Sequence, residues 1–122
     1  MAPDILIIGA TGYIGGRLLR RFELRGEAVR CLARRPEYLR DRVAPTTEVV
    51  AGDLLRAETL PPAFDGVRVV YYLAHSMGSD KDFERDERVS AENAARAALE
   101  AGVERVVYLG GLAHGDDLSP HL

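Results

Sequence analysis

The chain has one cysteine, one lysine and no tryptophan in 122 residues. A single thiol, Cys31, excludes an intrachain disulfide and fits a reducing cytoplasm. With Lys81 the only lysine, most lysine-based catalysis is excluded from this stretch. Long hydrophobic runs are also missing. The longest strongly apolar stretch, Val67 to Ala74, contains Arg68 and is far too short to span a bilayer. The opening Met-Ala-Pro-Asp leads straight into an expected strand and lacks the pattern of a signal peptide. Positive charge is not in excess: the formal net charge is −3, with arginines spread among acids. That leaves no basic field for nucleic acid. His75, His114 and His121 have no ligand spacing, so no metal site is expected. What remains is an ordinary globular composition, 47% apolar and 29% charged. It predicts one soluble cytoplasmic domain, residues 1–122, that binds neither membrane nor nucleic acid.

Short apolar runs alternate with helical patterns along the whole chain. Asp4 to Ile8 is a β-branched run expected of a central strand covered on both faces. Ile14, Leu18, Leu19 and Phe22 recur at helical spacing until Gly26. Ala28 to Ala33 is a second strand, and it places Cys31 in a buried packing position. Pro36 opens a short helix through Arg42. Thr47 to Ala51 is a third strand, a helical stretch follows near Ala57 to Phe64, and Val67 to Leu73 is a fourth strand. Asp82 to Ala101 is the longest helix, with Ala91, Ala94, Ala95 and Ala98 as a narrow stripe for close packing on a sheet. Glu84 with Arg88 and Glu92 with Arg96 make favourably oriented i,i+4 pairs on its other face. Arg105 to Leu109 is a fifth strand. This alternation predicts an α/β fold, a doubly wound parallel sheet of the Rossmann type with strand order 3-2-1-4-5. After Leu112 the pattern stops, so the chain is expected to be the N-terminal part of a longer protein, truncated after the fifth strand.

The most informative motif is Gly9-Ala-Thr-Gly12-Tyr-Ile-Gly15-Gly16, which joins the first strand to the first helix. Gly9 suits a sharp turn, and Gly12 suits close approach of backbone N–H groups to a pyrophosphate. Gly15 suits tight packing of helix on strand. The candidate binding positions in this turn are Gly9, Thr11, Gly12, Tyr13, Ile14 and Gly15. No Gly-Lys-Ser/Thr follows, which excludes the NTPase type of phosphate loop. The turn resembles the Gly-x-x-Gly-x-x-Gly turn of the extended and atypical short-chain dehydrogenase/reductase superfamily. The likeness continues through Gly52-Asp53-Leu54, Tyr72-Leu-Ala-His75 and Ala101 to Leu109. Tyr72-Leu-Ala-His-Ser-Met-Gly78 together with Tyr108-Leu-Gly-Gly-Leu112 is similar to a bacterial subgroup described as NAD(P)-binding or epimerase/dehydratase-like.

At the end of the second strand an acid would select NAD by binding both ribose hydroxyls. Arg34 and Arg35 stand there instead, with no acid before Glu37. Guanidinium groups suit a 2′-phosphate, so NADP(H) is expected over NAD(H), with Arg34 the better candidate. A solvated basic loop is the alternative. The resemblance implies that Asp53 and Leu54 meet the adenine ring; a capping aspartate is the competing role, and both can hold together. Leu73, Ala74 and His75 close the fourth strand beside the switch point where ligands lie, and the resemblance implies backbone contact from Ala74 to the cofactor. His75 is the one candidate acid or base, against a plain turn histidine.

The catalytic Tyr-x-x-x-Lys pair of the resembling reductases is missing: position 77, four before Lys81, is Met. Gly110-Gly111-Leu112 stands where a hydroxyl residue is usual. Glu87 takes the place of an active-site Asn, and Asn93 matches a more structural position. The expected function is an NADP(H)-binding module of an oxidoreductase or epimerase-like enzyme acting on an unidentified small molecule. The alternative is a non-catalytic NAD(P) sensor that binds a protein partner, and a homo-oligomer fits either.

Overall fold

The computed structural model describes residues 3–74 and 81–109. Five parallel strands form one sheet in the order β3-β2-β1-β4-β5, as the alternation predicts. They are β1 (Ile5–Ile8), β2 (Val29–Ala33), β3 (Glu48–Ala51), β4 (Val69–Tyr72) and β5 (Arg105–Tyr108). Each is a residue or more shorter than its apolar run. Helix α1 (Tyr13–Leu24) joins β1 to β2, and the short α2 (Pro61–Phe64) leads into β4. The long α3 (Lys81–Ala101) leads into β5.

Because strand side chains alternate, one apolar strand feeds two cores. Leu6, Ile8, Leu32, Val70 and Tyr72 face α2 and α3, where they meet Phe64, Ala94 and Ala98. Ile7, Val29 and Cys31 face the other way, against Leu19 of α1 and Leu39. Cys31 is fully buried there, and burial, followed by the nearby Glu23 charge, pushes its thiol up to about 12. It is a packing residue.

Four local expectations change. The single helix from Pro36 to Arg42 is two 3-10 turns, Pro36–Tyr38 and Arg40–Arg42. Leu39 breaks them apart at φ −111°, turning its side chain into the core. The stretch from Ala57 to Phe64 likewise divides into a 3-10 turn, Ala57–Thr59, and α2. On α3 only Ala94 and Ala98 of the alanine stripe are buried; Ala91 and Ala95 line an open apolar groove beside β5. The pairs Glu84–Arg88 and Glu92–Arg96 are not formed. Arg85 instead approaches Asp82 at 3.5 Å and Asp86 at 3.9 Å. Strand β5 is the sheet edge beside that groove, and all four of its residues are exposed.

One buried cation ties the layers together. Arg30, the second residue of β2, is 6% exposed and donates to Glu48 of β3 at 2.9 Å. Its Nη1 donates to the carbonyls of Ala63 at 3.0 Å and Asp65 at 2.7 Å, at the end of α2. Helix ends leave such carbonyls without partners, and a buried one must find a donor. Arg30→Met keeps the apolar stem but strips those donors. It is expected to lower stability by about 2–4 kcal/mol in urea unfolding. A loss below about 0.5 kcal/mol would show that water replaces the guanidinium there.

Candidate functional site

The carboxyl ends of β1 to β4 open into a cleft of about 830 Å³, at the place where the strand order reverses. Ligands of doubly wound sheets lie at that reversal. Of the residues singled out in the sequence, Gly9, Thr11, Gly12, Arg34, Arg35, Asp53, Leu54, Leu73 and Ala74 line it together. Tyr13, Ile14 and Gly15 do not. Gly15 is buried beneath the turn, while Tyr13 and Ile14 are exposed, Tyr13 beside the Arg17 guanidinium. His75 lies outside the described residues, as do Gly110, Gly111 and Leu112.

The turn is built on close backbone approach. Gly9 has φ +102°, and a Cβ there would sit 2.8 Å from the Ala74 nitrogen. The end of β1 therefore presses directly on the chain leaving β4, which brings Leu73 and Ala74 beside the glycine turn. Gly12 donates its N–H to the Gly9 carbonyl at 3.1 Å and caps α1. That cap has no side-chain hydrogen bond, and no acid stands in the first turn. The first-turn N–H groups therefore keep their donors and the partial positive charge of the helix end.

On the far side of the cleft, the 53–59 loop is pinned by side chains that the sequence pattern did not single out for this task. The Asp53 N–H donates to the Thr59 hydroxyl at 2.9 Å, and Thr59 in turn reaches the Arg56 carbonyl at 2.7 Å. Asn93 of α3 donates from Nδ2 to the Leu54 carbonyl at 2.7 Å, a structural role in keeping with its expected position. The Asp53 carboxylate is half used: Oδ1 accepts the Leu55 N–H at 2.9 Å in an Asx turn. Asp53 thus lines the cleft and closes a local Asx turn, and the 3-10 turn at Ala57–Thr59 has Arg56, not Asp53, as its N-cap.

Charge divides the cleft. Arg34 is exposed at the end of β2 and has no hydrogen-bond or ion-pair partner among the described residues. Arg35 donates from Nη1 to the Tyr38 hydroxyl at 3.1 Å, its guanidinium 5.7 Å from the ring centre. At the opposite end Asp86, Glu87 and Ser90 of α3 reach the lining. Tyr72 stands near them with its phenol pushed up to about 12, by burial first and then by the charges of Glu87 and Tyr108. It stays protonated at ordinary pH, which suits a hydrogen-bond donor and not a tyrosinate base.

A glycine cradle, a helix end without a side-chain cap and two exposed arginines beside a strand-order reversal define a dinucleotide-binding domain of the Rossmann type. The chain belongs to the NAD(P)H-binding family, whose model matches residues 9–122, within the short-chain dehydrogenase/reductase and NAD-dependent epimerase superfamily. It is 31% identical to the 3 beta-hydroxysteroid dehydrogenase/Delta 5-->4-isomerase of Mycobacterium tuberculosis, over 96% of this chain and 36% of that protein. Triphenylmethane reductase of Citrobacter sp., solved with NADP(H), is similar with a TM-score of 0.74 and 29% identity, over 88% of this chain and 37% of that one. A short-chain dehydrogenase/reductase superfamily protein of Agrobacterium tumefaciens with bound NAD is similar with a TM-score of 0.70 and 26% identity, over 85% of this chain and 31% of that one. The chain thus spans about a third of the length of these proteins. No helix among the described residues is long and apolar enough to cross a membrane.

Proposed function

We propose that this chain is the NADP(H)-preferring module of an oxidoreductase or epimerase-like enzyme. The observation that carries the preference is Arg34, a cleft-lining cation without a partner among the described residues, where an NAD-selective site would hold an acid. In this reading the Gly9–Gly12 turn and the start of α1 hold the pyrophosphate. Asp53 and Leu54 meet the adenine, and the Leu73–Ala74 backbone meets the ribose and phosphate side. The nicotinamide, when bound, supplies hydride transfer. The chain's own part is to bind and orient the nucleotide, with Tyr72 a fixed donor near the acidic end of the cleft. No Tyr-x-x-x-Lys pair occurs here, position 77 being Met, so within this sequence His75 is the one candidate for proton transfer.

Arg34→Ala is expected to cost NADPH roughly 1.5–3 kcal/mol of binding, the range of a charge-assisted hydrogen bond, with NADH nearly unchanged. Calorimetric titration of both nucleotides decides it, and equal losses would sink the 2′-phosphate assignment. A second reading, a non-catalytic NAD(P) sensor with a protein partner, is favoured by Gly110-Gly111 in place of hydroxyl residues. NADPH consumption by the full-length protein over a panel of carbonyl substrates separates the two: turnover supports the enzyme and removes the sensor.

A further inference from the structure

We infer that Tyr38 is a positioning residue for nucleotide discrimination, acting through Arg35; the inference rests on the 2′-phosphate reading above. Tyr38 is a large aromatic, 61% exposed, that lines the cleft without packing in either core. Its place is set by the backbone. The Tyr38 N–H donates to the Arg35 carbonyl at 3.0 Å, and the Leu39 N–H donates to the Pro36 carbonyl at 3.0 Å. Pro36 and Leu39 are both buried, anchoring the 3-10 turn on either side of the aromatic. The turn therefore closes on the residue whose side chain Tyr38 then holds.

That hold has two components, a hydrogen bond to the phenol oxygen at 3.1 Å and a guanidinium 5.7 Å from the ring centre. Neither neutralises the cation, since the phenol is a neutral acceptor and Arg35 forms no ion pair among the described residues. A guanidinium has five N–H donors in a rigid plane, so one bond to Tyr38 leaves the rest available for a phosphate. An exposed arginine otherwise loses considerable rotamer freedom on binding, and Tyr38 removes part of that loss in advance. The two adjacent arginines thus differ in how they are held. Arg34 is an exposed cation with no hydrogen-bond or ion-pair partner among the described residues, and Arg35 is a guanidinium already held by Tyr38 on the cleft lining.

The test is a cycle of Tyr38→Phe, Arg35→Ala and the double variant, titrated with NADPH, NADH and adenosine 2′,5′-bisphosphate. Tyr38→Phe keeps the ring and removes only the acceptor oxygen. It is expected to weaken NADPH and the bisphosphate about three- to tenfold while leaving NADH within about twofold, the scale of one hydrogen bond. With Arg35→Ala already present, Tyr38→Phe should have no further effect, which a merely structural role would not produce. Equal weakening of both dinucleotides, no weakening, or additive losses in the double variant would each overturn the inference. Wild-type protein binding NADH as tightly as NADPH would overturn the 2′-phosphate reading itself, and this inference with it. NADPH preference lost in Arg34→Ala but untouched in Tyr38→Phe overturns this inference alone.

Discussion

Gly15→Ala is expected to destabilise the fold by about 3 kcal/mol or more, although alanine is the better helix former. Helix propensity alone favours alanine over glycine by about 1 kcal/mol inside a helix. Against that stands geometry: a Cβ on Gly15 would lie 2.0 Å from the Gly9 carbonyl oxygen and 2.7 Å from its carbon. Both atoms are backbone in a turn that is itself held, because Gly9 at φ +102° already presses on Leu73 and Ala74. No flexible side chain is available to yield, so α1 or the end of β1 must shift, and overpacking of this kind outweighs the propensity gain. The neighbouring Gly16 is the internal control. A Cβ there meets the Ala10 oxygen at 3.3 Å, a contact that a shift of a few tenths of an ångström relieves. Gly16→Ala should therefore change stability by no more than about 1 kcal/mol. Thermal unfolding checks the pair, with Gly15→Ala lowering Tm by roughly 10–15 °C for a chain of this size. Gly15→Ala as stable as wild type would refute the close-approach account of the turn.

This contrast between adjacent glycines marks how far the sequence is legible. The strand order follows from local rules: apolar runs joined by helical patterns, with right-handed crossovers, admit few topologies. The glycine turn is legible for the same reason, since its chemistry is written in neighbouring residues. The pattern predicts Gly15 as a glycine of close helix-on-strand packing; the structure does give it close neighbours, but the tightest is the Gly9 carbonyl inside the turn, not the strand behind it. Long-range partners were less visible. Arg30 reads as an interruption in an apolar strand, and only the folded chain brings it to carbonyls 33 and 35 residues away. Thr59 is a local case: it looks like an ordinary loop threonine until the loop folds back six residues to Asp53. Tyr38 fell within a stretch read as one short helix, and the break at Leu39 leaves it on the cleft side. The exposed pairs on α3 are not formed for another reason: at the surface an i,i+4 ion pair gains only a few tenths of a kcal/mol, too little to fix two long side chains.

Gly12→Val should abolish dinucleotide binding in a chain that stays folded. The backbone at Gly12 is extended, φ −80° and ψ 173°, a conformation open to any residue. Strain at this position, which a glycine-rich turn suggests, is therefore not the reason for glycine. A Cβ would touch only the Gly9 oxygen, at 3.4 Å, and otherwise meets open space on the cleft lining. The fold thus tolerates a side chain here, at the expense of about 1 kcal/mol for a poor helix N-cap. The nucleotide does not. The two γ-methyl groups of valine would fill the approach to the first-turn N–H groups and screen the helix end from an anion. Losing those backbone hydrogen bonds to a charged group, several at once, should weaken binding by about 4 kcal/mol or more, roughly a thousandfold. Gly12→Ala, with one methyl in the same space, should fall between valine and wild type. Circular dichroism and calorimetric titration on the three proteins test the ordering. Folded Gly12→Val that binds NADPH at wild-type affinity would mean that the pyrophosphate lies elsewhere and that this turn only shapes the start of α1.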